Sequence, residues 1–234
     1  MHSSISSSPL PDPSRASLTV SVLSEKAKSG NGIYNGVAST YLANLQPGCT
    51  LQVSVQKSRA GFHLPEDMEN VPVILIAAGT GIAPFRGFIQ ERATLVEKSA
   101  KRTRLAPALL YAGCREAGHD DLYRDELDAW EAMGVVQVKR TFSRVADSKH
   151  NGHGANRYVQ DALWTDREAL KKLWKKGAMV YICGSRTMCK GVEQMAAQIK
   201  VELRKKKGDK MTTEEASEWV AGLRNVRYFA DVFD

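Results

Sequence analysis

Residues 71–86 read VPVILIAAGTGIAPFR, and this stretch decides the fold. Residues 71–77 form an unbroken apolar run, which is typical of a strand covered on both faces of a parallel sheet. Glycines follow, and then Pro84, which suits the first turn of a helix because its missing N–H would have no partner there. The stretch therefore predicts a buried strand, a tight turn and a helix over residues 83–98.

The same order of strand and helix recurs along the rest of the chain. The predicted strands cover residues 108–112, 135–138, 180–182 and 228–233, and the predicted helices cover residues 122–133, 159–174, 188–206 and 213–224. Thr212 and Glu215 stand at capping-box spacing across the start of the last helix. Alternating strands and helices imply right-handed crossovers. The predicted fold class is α/β, with an open parallel sheet over residues 69–234.

Residues 1–68 have a different pattern. Polar and apolar residues alternate over residues 17–23 and 50–56, which predicts two half-buried strands. Residues 36–45 predict a short helix that a Pro-Gly pair ends. We therefore expect a small, mostly β piece before the α/β domain.

The composition is that of a globular protein with a basic surface. The chain has 234 residues, of which 43% are hydrophobic and 25% charged, and its formal net charge is +7. Such a charge suits a nucleic acid, a phosphorylated ligand or an acidic protein partner. The lysine-rich stretches at residues 171–176 and 205–210 indicate a solvated surface. No motif supports nucleic-acid binding, so a basic nucleic-acid-binding protein is kept only as a rival hypothesis.

The four cysteines predict free thiols in a reducing compartment. No pair has C-x-x-C spacing and no histidine lies at ligand spacing beside them, so we expect neither a disulfide frame nor a metal site. No apolar run reaches the roughly 20 residues of a membrane span, and the N-terminus lacks the apolar region of a signal peptide. We expect a cytoplasmic location and no membrane segment in this chain.

Candidate ligand-binding residues follow each predicted strand, because ligands of open parallel sheets bind beyond the carboxyl ends of the strands. After the first strand, Gly79, Thr80 and Gly81 let the backbone turn sharply and let a phosphate approach the amide groups at a helix N-terminus. This G-x-G is weak evidence by itself, since it matches neither the Walker pattern nor the dinucleotide fingerprint.

Polar residues also follow the other strands. Residues 143–144 and 157–158 read Ser-Arg and Arg-Tyr, and together they offer a hydroxyl, two guanidinium groups and a ring that suit a phosphate monoester beside an adenine. Cys183 follows the fourth strand, and Asp231 lies on the last. Taken singly, each position also suits a surface arginine, a core thiol or a frayed tail. Their convergence on one edge favours a phosphorylated ligand.

Seven ordered motifs resemble those of the NADPH–cytochrome P-450 reductase family and its diflavin relatives, within the ferredoxin–NADP reductase superfamily. The motifs are GTGIAPFRGFIQER (79–92), YAGCR (111–115), DDLYRDEL (120–127), FSR (142–144), YVQD (158–161), YICGS (181–185) and RYFADVF (227–233). The resemblance covers nearly the whole chain. With SISSSP (4–9), GVAS (36–39) and FHLP (62–65), it looks closest to the reductase half of self-sufficient, fused monooxygenases.

The resemblance implies NADPH as a cofactor. Its pyrophosphate and nicotinamide side would be lined by Gly79, Thr80, Gly81 and Pro84. Its 2′-phosphate, which distinguishes NADPH from NADH, would be held by Ser143, Arg144 and Tyr158. Further cofactor-binding candidates in the same motifs are Cys114, Arg115, Arg157 and Gln160.

The resemblance also implies FAD, with FMN in a domain upstream of this chain. Cys183 and Asp231 would lie near the nicotinamide and assist hydride transfer to the flavin, and Ser4 would lie near the flavin. Phe233 takes the place of the terminal aromatic residue that stacks on the flavin ring. The residues near the FAD pyrophosphate would be Gly36, Val37, Ala38 and Ser39.

Electrons would then pass through FMN to a haem protein such as cytochrome P-450, either separate or fused. Sulfite reductase flavoprotein and nitric oxide synthase reductase are alternatives, since their NADPH domains have similar sequences. A non-catalytic NADP(H)-binding fragment that cannot retain FAD is another alternative. If the full-length protein is anchored, the cytosolic face of the endoplasmic reticulum is the expected location.

The chain departs from the family pattern in three motifs, at four positions. Met1 and Ser3 stand where the family's flavin motif has Arg and Tyr, so a phosphate partner and a stacking ring are lost. Asn156 stands where the family often has Lys, with Arg157 as a neighbouring substitute, and Ser185 stands where an acidic residue is usual. Since the rest of the flavin-binding region lies upstream in the family, we expect residues 1–68 to be the C-terminal part of an incomplete FAD-binding barrel in a truncated or split chain.

Overall fold

The computed structural model describes residues 3–56, 61–99, 104–144 and 157–233. The strands are β1 (Ser24–Lys26), β2 (Ile33–Asn35), β3 (Val73–Ala78), β4 (Ala108–Cys114), β5 (Gln137–Phe142), β6 (Met179–Ser185) and β7 (Tyr228–Phe233). The helices are α1 (Val37–Ala43), α2 (Ala83–Lys98), α3 (Arg124–Ala132), α4 (Val159–Thr165), α5 (Arg167–Lys175), α6 (Arg186–Lys205) and α7 (Thr213–Gly222).

Strands β3 to β7 form one parallel sheet in the order β5-β4-β3-β6-β7. The strand that the apolar run predicts is β3, at the centre, with Val73 pairing with Ala108 on one side and Met179 on the other. Its first five residues are buried, as a strand between two neighbours and two helical layers requires. The predicted α/β fold with an open parallel sheet is confirmed.

Helices cover both faces of the sheet. On the first face, α2 and α3 pack Phe85, Ile89 and Leu127 against the sheet. An aromatic cluster completes this face, formed by Phe62, Phe85, Phe88, Tyr181 and Phe229, with ring centroids 5.3 to 6.0 Å apart. Phe62 belongs to the FHLP stretch, which therefore packs on the α/β core. On the second face, α4 and α6 cover Ile74, Ile76 and Ile182.

The predicted helix over residues 159–174 is wrong in one respect, because two helices occupy it. Asp166 separates α4 from α5. Its carboxylate accepts a hydrogen bond of 3.1 Å from the hydroxyl of Tyr111 and lies 3.8 Å from Lys139 Nζ. These contacts with β4 and β5 hold Asp166 at the break between the two helices. A local sequence pattern does not predict them, because the contacting residues are distant in the chain. The predicted strand over residues 135–138 also begins later, since the register with β4 starts at Gln137.

The two strands predicted over residues 17–23 and 50–56 are absent from the described residues. Leu18 makes only an isolated bridge with Ile5, and residues 50–56 have no regular structure. The antiparallel pair near the N-terminus is instead the β1–β2 hairpin, whose turn holds Gly30 and Gly32 at positive φ. An alternating pattern becomes a strand only where a partner strand supplies hydrogen bonds. The predicted short helix is confirmed as α1.

The longest helices are α2, of 16 residues, and α6, of 20. Both carry charged side chains along their length. Within the described ranges, no helix is long and apolar enough to cross a membrane.

Candidate functional site

The glycine turn lies between β3 and α2, at the carboxyl edge of the sheet. It forms a 3-10 turn over Gly79–Ile82, and Pro84 follows in the first turn of α2. At Gly81 a Cβ would overlap the carbonyl oxygen of Cys183, so the turn packs directly on β6. Gly79 has φ +55° and its Cβ would meet no atom within 4 Å. The turn is therefore held on one side by close packing and is open on the other, where a ligand could approach the backbone.

Three predicted residues meet beside this turn. Ser4 Oγ donates a hydrogen bond of 2.9 Å to Asp231 Oδ2, although 227 positions separate the two residues. Cys183 pairs in register with Asp231 across the parallel strands β6 and β7. Burial, reinforced by the Asp231 carboxylate, raises the pKa of the Cys183 thiol. Cys183 is therefore a neutral thiol at neutral pH.

This group of Ser4, Cys183 and Asp231, the edge cluster, has a defined chemistry. The Asp231 carboxylate would stabilise positive charge in an adjacent ligand, and Ser4 holds one of its oxygens by a hydrogen bond. Cys183 is a weak donor that adds no charge and is not a nucleophile. Phe233 lies two positions beyond Asp231, pairs with Ser185 and is 43% exposed. The cluster suits a ligand that becomes more positive during reaction.

A second group of predicted residues lies after β5. Arg157 Nη2 donates to the carbonyl oxygen of Ser143 at 3.0 Å. Residues 145–156, between them in the chain, lie outside the described ranges. Arg144 Nη1 lies 3.7 Å from Glu116 Oε1, with more than half of the Arg144 side chain exposed. Tyr158 is 49% exposed at the start of α4. The structure therefore brings together Ser143, Arg144 and Arg157, and an exposed ring follows them in the chain. Asn156 lies outside the described residues.

Cys114 is the last residue of β4, and Arg115 begins the loop that follows it. Asp120 accepts hydrogen bonds from the Arg115 side chain and from the backbone N–H groups of Arg115 and Glu116. Partial burial opposes ionisation of Asp120, but these hydrogen bonds lower its pKa. Burial, with the charges of Asp121 and Asp120, raises the pKa of Cys114 to about 12. Arg115 thus braces this loop, and Cys114 is an un-ionised thiol.

The residues predicted for the FAD pyrophosphate form a local group at the start of α1. Ser39 is buried, and its Oγ donates to the carbonyl oxygen of Gly36 and accepts from the N–H of Leu23, both at 3.1 Å. Val37 and Ala38 are exposed. The Ser39 hydroxyl and the backbone of Gly36 are therefore committed to holding the turn, whereas Val37 and Ala38 expose the first turn of α1.

Asp161 is a residue that the sequence interpretation did not single out. Its Oδ2 accepts from the backbone N–H of Arg157 at 3.1 Å and of Tyr158 at 2.9 Å, which fixes the start of α4. The signal was available, because Asp161 stands three positions after Tyr158, at capping-box spacing. Glu116 had no such signal, since its pairing with Arg144 joins two different strand ends.

Two other predicted positions have structural partners. The Gln160 side chain packs over α6, where a Cβ at Gly191 would lie 3.5 Å from its Nε2. Ser185 caps α6, because its Oγ accepts the N–H of Met188 at 3.2 Å. Ser185 therefore acts as a helix cap at a position where the reductase family that the sequence resembles usually has an acidic residue. Among the described residues, no group of three or more His, Cys, Asp or Glu side chains could hold a metal ion.

Comparison with known proteins adds a family and close relatives. The family described as oxidoreductase NAD-binding domain matches residues 75–194. The chain is 47% identical over 231 residues to a bifunctional cytochrome P-450/NADPH–P-450 reductase of Fusarium oxysporum. It is 43% identical over 232 residues and 41% identical over 231 residues to self-sufficient cytochrome P-450 monooxygenases of Oidiodendron maius and Exserohilum turcicum. These matches cover 98 to 99% of this chain and 21% of each relative, so the chain spans about a fifth of their length.

Proposed function

The chain belongs to the oxidoreductase NAD-binding domain family, and from that premise we propose that it is the NADPH-binding module of a flavoprotein reductase. In the complete protein, FAD would accept the hydride of NADPH, and FMN would carry the electrons on to a haem protein such as cytochrome P-450. The observation that carries the proposal is the edge cluster, in which Ser4 and Asp231 are hydrogen-bonded beside the neutral thiol of Cys183.

NADPH fits the residues of the sheet edge. The open side of Gly79, next to the N-terminus of α2, suits a pyrophosphate, because backbone amides and the helix dipole favour an anion. Thr80 and the closely packed Gly81 complete that turn. Ser143, Arg144, Arg157 and Tyr158 would hold the 2′-phosphate and the adenine, with Arg115 and Gln160 beside them. Cys114 stays a prediction, since Asp121 lies within 3.9 Å of its thiol and would repel a phosphate.

In the reaction, NADPH supplies a hydride and the flavin accepts it. The role of Asp231 is to stabilise the positive charge that the nicotinamide gains as the hydride leaves. Ser4 holds one Asp231 oxygen and so orients the carboxylate. Cys183 keeps its proton at neutral pH. It would therefore lie beside the nicotinamide as an uncharged side chain and add no second negative charge.

The fit to FAD is supported by fewer residues. Ser4 and Phe233 lie at the same sheet edge. The exposed first turn of α1 at Val37 and Ala38 would approach the FAD pyrophosphate, with Gly36 and Ser39 holding that turn. Residues 1–68 would belong to a flavin-binding unit and residues 69–234 to the NADP(H)-binding domain. The exposed apolar side chains of residues 17–56 support this, because they suit contact with a further part of that unit.

The decisive experiment adds FAD to the purified chain, removes free flavin by gel filtration, and titrates NADPH and NADH while recording the flavin spectrum. We expect NADPH, but not NADH, to bleach any flavin that the chain retains. If no flavin is retained while NADP⁺ still binds, the chain is a nucleotide-binding module that needs more of the flavin domain. Failure to bind NADP⁺ at all would reject the proposal.

A charge substitution tests the 2′-phosphate site directly. Arg144→Gln should weaken NADP⁺ binding about tenfold and leave NAD⁺ binding unchanged, because it removes one charge-assisted contact. Arg124→Gln is the matched control, since the side chains of Arg144 and Arg124 are both 57% exposed and both lie near carboxylates. Equal losses in the two variants, measured by calorimetry, would show that net charge and not this site determines NADP⁺ affinity.

A further inference from the structure

A cavity of about 330 Å³ lies on the second face of the sheet, away from the site described above. Its floor is the amino-terminal half of the central strands, represented by Ile74 and Val180, whereas the proposed NADPH site follows the carboxyl ends. Helices α4 to α7 supply its walls, including Leu163, Trp174 and Leu223. Its volume falls within the range of small-molecule sites, which are also mostly apolar.

Lining residues of the cavity follow one face of α6. The helix contributes a stripe that begins at Val192 and ends at Lys207, just past the helix end, a span of about 22 Å at 1.5 Å per residue. The early part of the stripe is apolar apart from Glu193, as at Ala196 and Ile199, and the late part is cationic, as at Arg204 and Lys207. The cavity therefore has a mainly apolar end and a positively charged end.

Positive charge dominates the lining. The cationic lining residues are Lys171, Lys175, Lys200, Arg204 and Lys207, and the acidic one is Glu193. Glu193 already accepts the Tyr228 hydroxyl at 2.8 Å and lies 3.9 Å from Arg224. Two of the cations also have acidic partners, since Lys171 pairs with Glu168 and Arg204 with Asp209.

Within the described part of the chain, Lys175, Lys200 and Lys207 have no carboxylate partner. Lys200 and Lys207 lie close to each other, on the late part of the α6 stripe. The Lys200 ammonium lies 3.9 Å from the centre of the Trp219 ring. Burial, followed by the positive charges of Arg204 and Lys207, lowers the pKa of Lys200. An anionic group at this end of the cavity would relieve the repulsion.

We propose that this cavity binds a long-chain aliphatic carboxylate as a monomer, with its hydrocarbon chain along α6 and its carboxylate at Lys200 and Lys207. The apolar walls suit the chain and the uncompensated lysines suit the headgroup. This site is independent of the proposed NADPH site, so either proposal can fail alone.

The test is a titration of the full chain with dodecanoate below its micelle concentration, followed by calorimetry and by tryptophan fluorescence. Trp174 and Trp219 both line the cavity and report its occupation. Decanoate should bind about fifteenfold more weakly than dodecanoate, at about fourfold per methylene. Dodecanol, which lacks the charge, should bind at least tenfold more weakly. No dodecanoate binding, or binding only to anionic phospholipid vesicles, would overturn the proposal.

Amino-acid substitutions test whether dodecanoate binds at Lys200 and Lys207. Lys200→Glu combined with Lys207→Glu should weaken dodecanoate binding at least tenfold and leave dodecanol binding unchanged. Lys190→Glu, an exposed residue of α6 outside the lining, is the control and should weaken it less than twofold per charge reversed. Ala196→Phe, which fills the cavity, should abolish binding of both ligands. If Lys190→Glu weakens binding as much as the double variant, dodecanoate is attracted only by net charge and the proposal fails.

Discussion

Two pairs of apolar residues, each two positions apart, lie in different surroundings. Val53 and Val55 lie in residues 3–56, the N-terminal segment, and Val73 and Leu75 lie in β3. In the N-terminal segment the two valines are 76% and 81% exposed, whereas Val73 and Leu75 are fully buried. The difference arises because β3 has a parallel partner on each side, and residues 50–56 have none among the described residues. Apolar alternation thus records a capacity for burial, and partner strands decide whether that capacity is used.

The two regions also differ in how they are held. The α/β unit has two apolar cores, one on each face of its sheet. The N-terminal segment is joined to that unit by polar contacts, including Ser4 with Asp231, the Ser6 carbonyl with Arg86, and the Ser8 N–H with Gln90. We therefore expect stability to reside in the α/β unit, and the function of the edge cluster to depend on these few contacts.

Among the single substitutions, the largest expected effect comes from closing the space between the glycine turn and β6. Gly81→Ala places a Cβ onto the carbonyl oxygen of Cys183, a backbone atom that cannot move aside cheaply. We expect the free energy of unfolding to fall by about 3 kcal/mol, the upper part of the usual range for overpacking. Urea unfolding followed by circular dichroism measures the change.

Gly191→Ala is the matched control for that substitution. A Cβ at Gly191 would be in ordinary contact with Gln160, at 3.5 Å, and the residue lies inside α6. Replacing a glycine within a helix should raise the free energy of unfolding by about 0.5 to 1 kcal/mol. The two substitutions are chemically identical and should have opposite signs. A stable Gly81→Ala protein would show that the turn does not pack on β6.

The α/β unit was largely predictable from the sequence because its signals are local. The helix predicted over residues 83–98 is α2 without a change of bounds, and the capping box of Thr212 and Glu215 is present before α7. The break at Asp166 was not predictable, since it depends on the hydroxyl of Tyr111 in another strand. The alternating pattern also predicted strands wrongly over residues 17–23 and 50–56, because the local sequence does not show whether a partner strand is present.

The candidate site was predictable to a different degree. Residue types and strand ends located the edge of the sheet, but only the family resemblance joined Ser4 to Cys183 and Asp231, because nothing local links positions 227 residues apart. The pairing of Arg144 with Glu116 was missed for the same reason. Sequence patterns therefore point to a candidate edge of the sheet more readily than to the side chains that contact each other there.

Arg86 tests how strongly the N-terminal segment is held. Its Nη1 donates to the Ser6 carbonyl oxygen at 2.7 Å, and its other nitrogens pair with Glu126 at 2.7 and 3.0 Å. Only 13% of the side chain is exposed. Arg86→Gln should lower the free energy of unfolding by about 2 kcal/mol, since these hydrogen bonds involve a charged group. Hydrogen exchange of residues 4–8 should accelerate in parallel.

Arg15→Gln is the control for Arg86, because Arg15 pairs with Asp12 at 3.3 Å while 86% of its side chain is exposed. Its removal should change stability by less than about 0.5 kcal/mol. If Arg86→Gln leaves exchange at residues 4–8 unchanged, the segment is held by something other than this arginine.

The two regions should also respond differently to high pH. An unfolded cysteine has a pKa near 8.5, and the pKa of Cys183 is higher in the folded chain. The neutral thiol therefore stabilises the fold below about pH 8.5, and that contribution is lost as pH rises. Between pH 9 and 10 the parent chain should lose about 1 kcal/mol more stability than Cys183→Ala. Cys49→Ala, which removes the exposed thiol of the N-terminal segment, should keep the parent slope. A Cys183→Ala slope equal to the parent's would show that this thiol ionises as readily in the folded chain.

The smallest effect on stability is expected at the exposed valines of the N-terminal segment. Val53→Asp combined with Val55→Asp places charges on side chains that are already exposed, so unfolding should change by less than about 0.5 kcal/mol. Self-association should fall, because the exposed apolar surface becomes polar, and sedimentation velocity measures it. Val73→Asp combined with Leu75→Asp is the opposite case. This change should prevent folding, because each carboxylate would be buried without a partner. If the Val53 and Val55 substitutions unfold the chain, these valines are buried in solution and the N-terminal segment belongs to the same core as the sheet.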